Sequence, residues 1–165
     1  MKPSLIFGLC LLPGCLLAAE PQKTPTAPAA SHAMVRASST QWGDAPPMLP
    51  PGAQAAVLSG DPGKPGAFAI RLKAPAGYRV PRHWHPTDEQ VTLIEGDLTL
   101  AMGDGADAHS ADFAPGDYVM LPAKMLHEAS TRNGAVINSS GPFEINYADP
   151  KDDPRNRATD AGTSK

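Results

Sequence analysis

A chain of 165 residues has room for one domain of ordinary size and not for two. Hydrophobic residues at 41% and charged residues at 19% are proportions that build a core, which sets wholesale disorder aside. A net charge of −3 without a Lys/Arg cluster sets aside a nucleic-acid partner, because gripping a phosphate backbone takes concentrated positive charge.

The chain opens on an export signal. Lys2 gives a positive start, and residues 4–17 are mainly apolar with an interruption at Pro13-Gly14. These 14 residues fall short of the about 20 that a membrane span requires, so residues 1–19 read as a signal peptide. Two processing routes are open. Leu17-Ala18-Ala19 offers a small residue for cleavage before Glu20, although Leu17 is bulky for its place. Leu12-Pro13-Gly14-Cys15 resembles a bacterial lipobox, atypical at Pro13, and would leave a lipid anchor on Cys15. Either route leads to the periplasm or cell envelope. Cys10 and Cys15 both lie in this signal, so the mature domain is expected to close no internal disulfide and to depend on its core and any bound ion.

Residues 20–45 are rich in Pro, Ala, Thr and Ser without an apolar period, and read as a flexible linker in which His32 is solvated. The folded part is expected over residues 46–150. Residues 55–58 and 68–73 read as strands around a Gly/Pro-rich turn, and Phe68, Ile70 and Leu72 alternate with polar neighbours at the period of a half-buried strand. Residues 80–85 and 89–95 follow as strands around Pro86-Thr87-Asp88, and Gly96-Asp97 is a tight turn before the alternation of Leu98, Leu100 and Met102. Residues 107–112 read as a polar loop carrying a solvated His109. Strands at 117–121 and 126–131 flank Pro122, and residues 135–138 and 143–147 complete the series. Residues 151–165 form a polar tail. Short strands separated by turns, with no amphipathic helix, predict an all-β single domain, a sandwich or barrel.

His83 and His85 stand two apart on one predicted strand and so share a face. Glu89 shares its face with Val91 and Leu93, and His127 brings a third imidazole from a distant strand. A buried polar group without a partner costs about 1–3 kcal/mol, and a lone buried carboxylate more. One divalent cation would offset all four costs, since imidazole and carboxylate suit Zn, Mn, Fe, Cu or Ni. The plainer reading is that His83 and His85 decorate an exposed strand. Nearby, Gln90 and Trp84 fall on the opposite face from the ligands, Tyr78, Arg82, Asn138 and Tyr147 read as core or surface residues, and Met102, Met120 and Met125 read as core filling.

The spacing resembles the cupin superfamily (RmlC-like). Its motif G-x5-H-x-H-x3-E-x6-G is matched by Gly77, His83, His85, Glu89 and Gly96. Its motif G-x5-P-x-G-x2-H-x3-N is matched by Gly116, Pro122 and His127, with Lys124 in place of glycine and Thr131 in place of asparagine, departures that bear on loop shape. The stretch HWHPTDEQVTLIEGDLTLAMGD and its surroundings over residues 45–155 also look like a group of exported bacterial cupins. The resemblance implies a double-stranded β-helix (jelly-roll) barrel holding one divalent transition-metal ion through His83, His85, Glu89 and His127, with positions open to a small-molecule substrate or ligand. It also implies a homodimer paired through the sheet edges. The fold does not by itself fix the activity, because one fold hosts unrelated chemistries. A metal-dependent oxidoreductase of dioxygenase type leads. A non-catalytic metal- or ligand-binding or sensing module is the alternative, as in the zinc-binding cupins of some anti-sigma factors, and a barrel without metal is a third.

Overall fold

Period-2 alternation sets the strands, because successive side chains in an extended chain point to opposite faces. The computed structural model describes residues 32–140 and 143–156, with backbone only for residues 138–140. The signal-peptide and lipobox readings at residues 1–19 lie outside the described residues. Eleven strands occur among those described: β1 (Gly43–Asp44), β2 (Gln54–Ser59), β3 (Ala69–Ala74), β4 (Arg79–Trp84), β5 (Glu89–Gly96), β6 (Leu98–Met102), β7 (His109–Phe113), β8 (Tyr118–Leu121), β9 (His127–Ser130), β10 (Ala135–Ser140) and β11 (Asn146–Tyr147).

They form two antiparallel sheets, one in the order β1-β2-β3-β10-β5-β8 and the other in the order β11-β4-β9-β6-β7. This is an all-β fold of the kind that the turn-rich sequence predicts, and the jelly roll that the cupin resemblance implies. Val91 and Leu93 of β5, Leu121 of β8 and Ala135 of β10 point inward from the first sheet. They meet Leu98, Leu100 and Met102 of β6, the inward positions of the second. Full burial of each large side chain contributes about 1.5–3 kcal/mol. A smaller cluster of Leu49, Val80 and Ile145 closes another part of the interior.

Three elements differ from the sequence reading. Residues 109–113 form strand β7 paired with β6, where a polar loop was expected. Only Ala111 and Phe113 of β7 pack on the core, and His109 is exposed, as a polar edge strand allows. The short β1 pairs with β2 inside the stretch read as linker. Met120 points outward and is 46% exposed, because on β8 the inward positions fall to Val119 and Leu121.

The β5–β6 turn requires its glycine. Gly96 has φ +86°, and a Cβ there would stand 1.8 Å from the Gly134 carbonyl oxygen. The Asp97 carboxylate then accepts from the backbone N–H groups of Arg132 and Asn133, both at 2.9 Å, which joins this turn to the β9–β10 turn.

Candidate metal centre

Proline decides how β4 presents its histidines. Pro81 has no N–H to donate, and the β4–β9 ladder loses register between Val80 and His83. Pairing resumes with His83 directly opposite His127, while Met102 of β6 faces His127 from the other side. His83 and His127 are thus neighbours on the inner face of the second sheet, 4% and 2% exposed. His85 lies just past the end of β4, and Glu89 opens β5 in the other sheet.

Two loop contacts bring the second pair to the first. The Asp88 carboxylate accepts from Ala123 N at 2.8 Å, and Lys124 N donates to His85 O at 2.8 Å. The β4–β5 loop is thereby fastened to the β8–β9 loop that leads into His127. Lys124 makes that contact with φ +65°, the left-handed conformation for which the cupin motif has glycine. The loop keeps the motif's shape with a strained lysine.

Each of the three imidazoles is anchored through Nδ1 to a backbone carbonyl: His83 to Pro81 O at 2.7 Å, His85 to Glu144 O at 2.6 Å, and His127 to Met125 O at 3.0 Å. A carbonyl only accepts, so each Nδ1 carries a proton, and a neutral ring then has its lone pair on Nε2. The three histidines offer ligand atoms that all lie within 4.8 Å of one another. Glu89 Oε2 stands 3.3 Å from His127 Nε2 and 3.4 Å from His85 Nε2. Two ligands about 2.1 Å from a shared ion are roughly 3.0–3.4 Å apart for bond angles between octahedral and tetrahedral. The carboxylate spacing suits that arrangement. His85 Nε2 is buried without a hydrogen-bond partner, so one orphaned nitrogen faces the middle of the cluster. On these observations the residues fit a single ion.

The electrostatics agree. Burial, with the neighbouring His127 and His85 rings adding to it, pushes the His83 imidazole down to about 3, so it is neutral at any ordinary pH. Burial also pulls on His85, but the Glu89 carboxylate beside it prevails and raises it. Burial alone would raise Glu89; the His127 and His85 rings outweigh it and hold the carboxyl well below the usual carboxylate range. An ionised carboxylate in this setting calls for a cation, and either a proton on His85 or a metal ion supplies one.

The cluster borders a cavity of about 60 Å³ whose other walls are apolar, Phe143, Ile145, Val91 and Leu121 among them. Tyr147 stands beside it with its ring 5.9 Å from that of His83, and its hydroxyl donates to Met48 O at 2.7 Å. Of the other residues weighed from sequence, Arg82 turns to Gly103 O and Asp104, while Tyr78 donates to Pro50 O at 2.6 Å. Gln90 is exposed, and the Asn138 side chain is not described. Sequence reasoning overlooked the three anchoring carbonyls and the cavity walls Leu49, Phe143 and Ile145. Pro81 and Met125, each two residues before a histidine, were the only local signal.

A family model described as "ChrR Cupin-like domain" matches residues 30–142. Among solved structures, the polyketide cyclase RemF from Streptomyces resistomycificus aligns at TM-score 0.59 and 15% identity, over 78% of this chain and 94% of that one. An RmlC-like cupin from Shewanella frigidimarina NCIMB 400 aligns at TM-score 0.53 and 15% identity, over 67% and 89%. KdgF from Halomonas sp. aligns at TM-score 0.52 and 19% identity, over 70% and 96%. At such identities the likeness shows the fold alone. No curated protein matches the chain.

Proposed function

The chain belongs to the ChrR cupin-like domain family, and from that premise we propose that it holds one divalent transition-metal ion through His83, His85, Glu89 and His127 and acts as a metal-dependent oxidoreductase, dioxygenase-like, on a small organic substrate. The observation that carries the reading is the anchoring of all three Nδ1 atoms on backbone carbonyls, which commits every imidazole to present Nε2. A carbonyl on the second nitrogen is how metal-binding histidines are usually oriented. Such an ion would supply Lewis-acid or redox chemistry at its open positions. The chain's own part is to fix the rings and to line the space beside them with apolar side chains that limit water.

A second reading has one observation in its favour. Beyond the four cluster residues, no acid, base or nucleophile among the described residues lines the 60 Å³ cavity, which suits a binding or sensing module with a structural ion. Elemental analysis of protein isolated from its native compartment, with oxygen uptake on a panel of small phenolic and keto compounds, separates the two. A stoichiometric redox metal with turnover supports the enzyme. Tightly held zinc, with the melting temperature collapsing on chelation, supports the module. Absence of metal from wild-type protein, together with equal metal content in Glu89→Gln and His127→Ala after reconstitution, would refute both.

Export to the periplasm or cell envelope belongs to the same proposal. It rests on Lys2 and the apolar residues 4–17, and peptide mapping of the mature N-terminus, lipidated at Cys15 or cut before Glu20, tests it. No helix among the described residues is long and apolar enough to cross a membrane. Pairing of two copies is the corresponding partner expectation. Strand β8 is a sheet edge with Tyr118 and Met120 exposed, and a sizing column reads the outcome.

A further inference from the structure

The interior stays unfilled beyond the histidines. A second space of about 50 Å³ lies towards the other end of the sheets, bordered by the small side chains of Ala53, Ala74, Ala129 and Ala135. It abuts the cavity at the histidines, and six side chains line both, Leu49, Leu72, Val80 and Ala129 among them. Strand β9 and the residue after it give the order. His127 borders the near space, Ala129 both, and Thr131 the far one, each about 7 Å beyond the last. Leu72, Ala129 and Ile137 line both spaces yet are only half-buried, as expected where the interior is not packed solid.

The far space offers almost nothing polar. Among the described residues only Tyr78, Ser130 and Thr131 bring polar side-chain atoms to its lining. The Tyr78 hydroxyl is spent on Pro50 O at 2.6 Å, and Thr131 Oγ1 accepts from Gly134 N at 2.9 Å. A water needs two to four polar partners, so a space of this kind stays dry and takes hydrocarbon.

We propose that the far space receives the short alkyl tail of a ligand whose polar head lies at His83, His85, Glu89 and His127. The protein then takes small amphiphiles, a chelating or hydrogen-bonding head on an unbranched chain of a few carbons. A cavity of about 150 Å³ accommodates benzene; the far space has a third of that and excludes an aromatic ring. The inference rests on the proposed metal reading only for where the head lies.

The test is a chain-length series by calorimetry. Metal-reconstituted protein is titrated with n-alkyl hydroxamates, and metal-free protein with 1-alkanols, from two carbons to eight. Affinity should rise about fourfold per methylene, the ~0.8 kcal/mol of a buried CH₂, for the first three or four methylenes and then stop rising. In Ala129→Val, which fills the shared wall, the rise should vanish while metal content is unchanged; Ala53→Val, at the far end, serves if that variant does not fold. A rise in both wild-type series supports the inference and the metal reading together. A rise with alkanols alone, in a protein that retains no metal, supports the tail site while the metal reading falls. Affinity independent of chain length in both series, or a rise that survives both substitutions, overturns the inference.

Discussion

Acidification of the metal-stripped protein isolates what the burial of His83 does. Its imidazole has an ordinary pKa of 6.5 in an unfolded chain and about 3 in the fold, chiefly because burial disfavours the charged ring. Below pH 6.5 the unfolded chain takes up this proton and the folded chain does not until about pH 3, so the unfolded state gains. The His83 contribution is fully retained above pH 6.5 and lost as pH falls towards 3. At about 1.4 kcal/mol per pH unit the loss approaches ~5 kcal/mol, comparable with the whole stability of many domains. Glu89, with its depressed carboxyl, acts in the same direction below its ordinary value of 4.5. His85 is raised, so its contribution is complete below pH 6.5 and lost as pH rises through its folded value. Urea unfolding at pH 7, 6, 5 and 4 for wild type and His83→Gln separates the first effect from the others. Wild type should lose about 1.4 kcal/mol per pH unit more than the variant between pH 6 and 4, and the His83 ring proton should show no NMR titration above pH 4. Parallel pH profiles, or a His83 resonance titrating near 6.5, would refute the reasoning.

Two further predictions concern the turns. Lys124→Gly relieves a left-handed residue, which costs about 1–2 kcal/mol for an L-amino acid, but adds unfolded-state freedom of about 0.4–1 kcal/mol. The net is a gain of ~0.5–1 kcal/mol, seen as a melting temperature a few degrees higher, and Lys124→Ala should show no such gain. Gly96→Ala places a Cβ 1.8 Å from the Gly134 carbonyl at a positive φ, and should cost about 3 kcal/mol or more. Thermal denaturation with a drop of only a degree or two would contradict that geometry.

The layered β architecture was legible where alternation was strong. Leu98, Leu100 and Met102 bury one face of β6 as their spacing predicts, and β6 occupies residues 98–102 as read. Strand β7 was not legible, since His109-Ser110-Ala111-Asp112-Phe113 sits at a sheet edge where polar residues carry no penalty and the apolar signal fades. Met120 was misplaced for a related reason: edge strand β8 alternates, but periodicity does not say which set faces the core until its partners are known. For the candidate site, the cupin motifs drew attention to His83, His85, Glu89 and His127, which the fold gathers from both sheets. The apolar walls were not readable, because Leu49 and the Phe143–Ile145 segment lie far apart in sequence and far from most of the ligand positions.

The hidden half of the site is backbone. A partner on a histidine's second nitrogen orients the ring and strengthens its hold on a cation, and here that partner is a main-chain carbonyl whose position depends on local chain path. Pro81 acts twice. Without an N–H it breaks the ladder between Val80 and His83, and its carbonyl accepts the His83 Nδ1 proton. Met125 plays the second of these parts for His127 from the same place, two residues upstream, just past the turn that Lys124 holds in a left-handed conformation. The third carbonyl, Glu144 O, comes from the segment that also carries Phe143 and Ile145 into the cavity wall, so ring orientation and apolar lining are coupled there. The four candidate ligands alone therefore underdetermine this centre. Transplanted onto a strand with a regular ladder and no proline at that position, His83 would keep its spacing from His85 and lose the carbonyl that fixes its ring.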